Sequence, residues 1–113
     1  MAAVLAGLAG CATLPPPNQE FASAQASIAQ ADADAHRYAP EEWAAADREL
    51  ADARAAMARQ DYDRARPLIA AAQADADLAR AKGRALAAQA KVAIKTQEND
   101  DLRRRLLDQE PLP

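Results

Sequence analysis

The sequence predicts an all-α fold, an antiparallel helical hairpin within a three-helix arrangement that carries a long C-terminal helix. Three observations predict it. Half of the 113 residues are hydrophobic, and most of those are alanine, the strongest helix former. Apolar residues recur at steps of three and four along three successive segments. No stretch alternates with a period of two, and valine and isoleucine are scarce, so strands are not expected. Alanine buries little area, which favours thin, closely packed helices over a domain with a deep ligand cavity.

The first helix is expected from about Gln19 to Tyr38, with Phe21, Ala24, Ile28, Ala31 and Ala35 on one stripe. Pro40 disfavours the helical conformation at Ala39 and so ends it. The same proline suits the first position of a second helix, where its missing N–H costs nothing. Glu41 and Glu42 follow in the first turn, well placed against the helix dipole. Trp43, Ala46, Leu50, Ala53 and Met57 then form a narrow seam of coiled-coil type. The second helix closes near Gln60-Asp61.

Asp61 or Asp63 can cap the third helix. Its stripe is Tyr62, Ala65, Ile69, Ala72, Ala76, Ala79, Gly83, Leu86 and Ala90. Pro67 removes one backbone bond early on, so a distorted first turn or slight kink is expected there. Gly83 either permits a close helix contact or is a weak point. The second helix is about 30 Å long and a third helix unbroken to Leu107 about 70 Å, so its distal part projects past the hairpin. Beyond Ala90 the apolar pattern thins to Val92, Ile94, Leu102, Leu106 and Leu107 among basic residues. Such a segment frays or pairs with another chain. Residues 108–113 are expected to be disordered.

The N-terminus carries the sharpest signal. Residues 1–10 are apolar and small, too few to span a bilayer core, which takes about 20 in a helix. They fit a secretory signal peptide instead. Leu8-Ala9-Gly10-Cys11 matches the lipobox of bacterial lipoproteins, in which the cysteine thiol takes a diacylglyceryl group before cleavage and N-acylation. Cys11 is the only cysteine, so no disulfide framework competes for it. Residues 11–18 then read as the lipidated cysteine and a stiff proline-rich spacer, and residues 19–107 as the helical domain. No Lys or Arg precedes Arg37, and the expectation is that the natural signal starts upstream of Met1 with a basic residue. Stable anchoring needs more than one acyl chain, which a diacylglyceryl cysteine such as palmitate-bearing Cys11 supplies. Ala12 in place of Asp after the cysteine points to the outer membrane, periplasmic face.

The run Tyr38-Ala39-Pro40-Glu41, with Trp43, Leu50, Ala53, Asp61-Tyr62 and Ala65 and an Ala/Asp-rich continuation, resembles an uncharacterised family of small Gram-negative lipoproteins. That family shares an Ala-rich helical domain of unknown function, sometimes ahead of an outer-membrane-protein-A-type domain. The resemblance spans roughly residues 20–90 and implies an envelope location and a helical fold, without catalytic residues. The segment from Trp43 to about Ala76 also looks like a single tetratricopeptide-type hairpin. One such unit cannot form the groove of a stacked array.

The residue inventory argues against an enzyme. His36 is the only histidine, and the Asp-x-Asp pairs at Asp32/Asp34, Asp61/Asp63 and Asp75/Asp77 point to opposite sides of a helix. No phosphate-binding glycine loop or nucleophile elbow occurs. No metal, catalytic residue or cofactor is expected beyond the covalent lipid. The charge is dipolar: residues 19–79 hold twelve acids and six bases, residues 80–105 eight bases and three acids. This gives no case for nucleic acid and suits antiparallel or staggered self-association. The expected role is structural or interactive, with the membrane and either a second copy or an envelope protein as partners. The alternative is a periplasmic peptide- or ligand-binding or chaperone module. Tyr38, Trp43 and Tyr62, expected to pack together around the hairpin turns, are the interaction candidates.

Overall fold

The computed structural model describes residues 14–31 and 33–109. Four helices make up this part of the chain: α1 (Asn18–Ala29), α2 (Ala33–Tyr38), α3 (Pro40–Ala58) and α4 (Tyr62–Asp108). No strand occurs among the described residues.

The single first helix expected over 19–38 is instead two. Gln30 closes α1, its N–H reaching Ala26 O at 2.9 Å, and the chain restarts as α2 three residues further on. The apolar stripe survives the break, with Ala24, Ile28 and Ala35 all buried. What the break allows is a very close approach of α2 to α4. A Cβ built on Gly83 would stand 2.7 Å from Ala35 N and 2.8 Å from Ala35 Cα. Gly83 therefore serves as a contact point between backbones, and the helix continues through it.

Pro40 opens α3 and Asp61 caps α4, its carboxylate accepting from Arg64 N–H at 3.3 Å. Asp63 lies inside the first turn. Pro67 stands within a helix that is unbroken from Tyr62 to Asp108. Between α3 and α4, Gln60 N–H donates to Met57 O and Asp61 N–H to Ala56 O, both at 2.9 Å. These two bonds satisfy the last carbonyls of α3 in a Schellman arrangement, which requires the residue after the cap to turn left-handed. That residue is Gln60, at φ 59°.

The helices pack up, down and up. α3 runs antiparallel to α4, with Glu42 ion-paired to Lys82. The first two helices run parallel to α4, as Glu20 faces Arg66, Ser27 bonds Gln73 and Ala35 meets Gly83. The α3–α4 contact is the most extensive. The core between them is mostly alanine, with Ile28, Leu50 and Ile69 the buried branched residues and Phe21, Trp43, Met57 and Leu68 at its rim. Ala56 is also buried, a position the seam read from sequence did not contain.

The proline-rich spacer departs from expectation. Pro17 is fully buried, and Pro15 O accepts from Arg66 Nη2 at 2.5 Å. Pro15 is thus fastened to the side of α4 by a hydrogen bond from Arg66. Leu14 remains half exposed.

Candidate functional site

Three surfaces merit description, beginning with the corner where α2 meets α3. His36 and Trp43 contact each other there, ring centroids 4.4 Å apart and planes inclined by 47°. Trp43 packs against both alanine clusters and is half-buried, with its indole N–H buried and without a hydrogen-bond partner. The adjacent Glu42–Lys82 pair spans α3 to α4, and the lysine holds the Glu42 carboxyl below its ordinary range. Tyr38 is half-buried beneath Arg37, whose guanidinium carbon lies 5.3 Å from the ring centroid. It borders a shallow depression of about 430 Å³ with Arg84, Lys91 and Ile94.

Tyr62 does not join this corner. The Glu42–Lys82 pairing puts Trp43 level with about residue 81 of α4, nineteen residues and roughly 28 Å of helix from Tyr62. The expectation that the three aromatics pack together is therefore corrected: an antiparallel hairpin separates a residue at the start of α3 from one at the start of α4 by the hairpin's full length. A shared aromatic wall for a ligand is lost with it.

The second surface is an open groove of about 510 Å³ between α1 and α4, lined by Pro17, Glu20, Ser23, Arg66, Ile69 and Gln73 among others. Gln73 donates to Ser27 Oγ at 2.6 Å and also contacts Asp77. Arg80 and Gln73 hold the Asp77 carboxyl below its ordinary range. Across α3 and α4, burial and the neighbouring Asp75 push the Glu49 carboxyl up. Glu49, Arg66, Gln73 and Arg80 did not stand out in sequence, and Asp75 and Asp77 did so only as an Asp-x-Asp pair.

The third surface is the outer side of α4. Ala74, Leu78, Ala81, Ala85 and Ala88 are exposed along the hairpin half, and Val92, Lys95, Asn99, Leu102 and Leu106 along the projecting half. These positions recur at alternating steps of four and three, the a/d spacing of a coiled coil. They lie opposite the buried stripe of Ala65, Ile69, Ala72, Ala76, Ala79 and Gly83. Leu78, Val92, Leu102 and Leu106 are each more than half exposed. A depression of about 640 Å³ follows the same line past Ala88, Val92, Lys95 and Asn99. The spacing of this stripe is present in the sequence, but that these positions face away from the core follows from the packing of α4.

Cys11, with Leu8, Ala9 and Gly10, lies outside the described residues, as do residues 110–113 of the expected tail. No group of three potential metal ligands occurs among the described residues.

A family model described as a domain of unknown function (DUF4398) matches residues 19–94. The chain belongs to this family. The DUF4398 region begins at the start of α1 and ends about where α4 has left the hairpin, so it comprises the packed part of the molecule. No curated protein and no solved structure matches the chain.

Proposed function

We propose that this DUF4398 protein is a lipid-anchored component of the bacterial envelope with a structural or protein-interaction role and no enzymatic activity. The observation that carries the reading is Leu8-Ala9-Gly10-Cys11, a lipobox placed where an apolar run ends, on the only cysteine of the chain. A diacylglyceryl group there gives the two chains that stable membrane residence needs. Ala12 favours the outer membrane and a periplasm-facing body. No described helix is long and apolar enough to cross a membrane, so a lipid would supply the attachment.

The docked spacer sharpens the geometry. Only three residues separate Cys11 from Pro15, which is fastened to Arg66, and the four residue-to-residue steps between them reach at most about 14 Å. In this reading the α1 end of the body sits close to the bilayer. The outer side of α4 supports an interaction role, because it leaves Leu78, Val92, Leu102 and Leu106 exposed along one face of a single helix.

Labelled palmitate tests the anchor. The wild-type chain should take up label and fractionate with the outer membrane, and Cys11→Ser should do neither. Label on the mutant, or none on the wild type, would exclude Cys11 as the anchor.

A further inference from the structure

We infer that α4 pairs with α4 of a second copy through its outer a/d stripe, as an antiparallel two-stranded coiled coil. This names the partner that the interaction role leaves open and rests on that part of the proposed function, not on the lipid.

The stripe runs unbroken in four-three steps from Ala74 to Leu106, about 48 Å of helix. A strict seven-residue repeat on a 3.6-residue helix drifts by about 20° per heptad, which a left-handed supercoil with a partner accommodates. Within one chain the stripe has no partner: every position in it is exposed, and α1, α2 and α3 occupy the opposite side. Past the hairpin α4 has no surface of its own chain to pack on, whereas most helical stability in proteins comes from packing one face of the helix.

Charge chooses the second copy and its direction. The residues flanking the stripe are acidic at its N-terminal end and mostly basic at its C-terminal end. An antiparallel pair with its two-fold axis at Ala90 brings Asp75 to the second copy's Arg103, Asp77 to its Arg105 and Arg84 to its Glu98. The only opposed like charges are Lys91 and its symmetry mate at the axis. In the core, Leu78 faces the second copy's Leu102, Ala74 its Leu106 and Ala88 its Val92, while the polar Asn99 and Lys95 each meet an alanine, Ala81 and Ala85. A parallel, in-register pair keeps fewer attractions, Asp77 with Lys82 and Glu98 with Arg103, and stacks Lys95 on Lys95. Opposed macrodipoles add to the antiparallel preference. Asp75 also raises the Glu49 carboxyl, and an incoming arginine would relieve that repulsion.

The test uses the full chain carrying Cys11→Ser in mild detergent, so that lipidation plays no part. Light scattering after size exclusion should give a dimer, and Val92→Asp with Leu102→Asp should weaken it at least tenfold while the helical content of the hairpin stays. A monomer from micromolar to submillimolar concentration overturns the inference, as does a dimer that the double mutant leaves intact. Leu78→Cys with Leu102→Cys should form interchain disulfides readily and Leu78→Cys alone should not; efficient cross-linking of the single variant overturns the antiparallel direction. Because Cys11 is absent throughout, failure here leaves the palmitate result standing, and failure there leaves this one.

Discussion

At Gly83 the nearest atoms to an added Cβ are all backbone, Ala35 N, Ala35 Cα and Asp34 C, each under 3 Å away. A flexible side chain could swing aside; a packed helix backbone cannot. Gly83→Ala gains about 1 kcal/mol of helix propensity but forces α2 off α4, an overpacking cost of typically 1–3 kcal/mol. The expected outcome is a lower thermal midpoint and looser α2, seen as faster amide exchange over residues 33–38. A raised midpoint would show that α2 does not rest on this glycine. From sequence, Gly83 read equally well as a weak point, because the residue that decides between the readings is forty-eight positions away. Gln60 was invisible for a related reason. A left-handed residue after a helix is usually glycine, and here the Schellman bonds impose that conformation on a glutamine.

At the scale of elements, the hairpin depends on very few large side chains. Leu50 is 5% exposed and Ile69 3%, while their buried neighbours are mainly alanines that make close contacts but bury little area. Leu50→Ala should therefore cost about 2–5 kcal/mol, the usual range for a core leucine, measured by urea unfolding. A loss well under 1 kcal/mol would mean that the α3–α4 seam is not the centre of the fold. The helical stripes were legible because alanine-rich helices advertise their periodicity. The boundary between α1 and α2 was not, because the stripe passes through it without a proline or glycine to mark the break. Composition read the proline-rich stretch as a stiff spacer and could not show that Pro17 is buried and Pro15 is tied to Arg66.

For the molecule as a whole, three carboxyls set opposing trends with pH. Glu42 and Asp77 are held below their ordinary values of 4.5 and 3.8, chiefly by Lys82 and by Arg80 respectively. Their stabilisation is fully present above those values and is lost as pH falls through the lowered ones. Glu49, raised above 4.5 by burial first and Asp75 second, acts the other way. Its contribution is fully present below 4.5 and is withdrawn as pH rises through its raised value. Stability from these groups should therefore peak in the acid range near 4.5 and decline on both sides. Glu49→Gln should flatten the decline above the peak and leave the acid limb unchanged, as followed by denaturant midpoints from about pH 2 to 8. An unchanged upper limb in the mutant would remove Glu49 as its source.

Periodicity and capping residues are local properties, and so the sequence by itself determined the helical class, the start of α3, the core-facing stripes and the two candidate caps of α4. Placement across the hairpin is not local. Only the tertiary structure decided that Tyr62 stands a hairpin's length from Trp43, that Gly83 is a contact point, that the spacer is docked, and that α4 carries a second apolar stripe facing away from its own core. The physical reason is the same in each case. A helix reports which residues share a face, whereas what that face meets depends on packing between segments far apart in the chain.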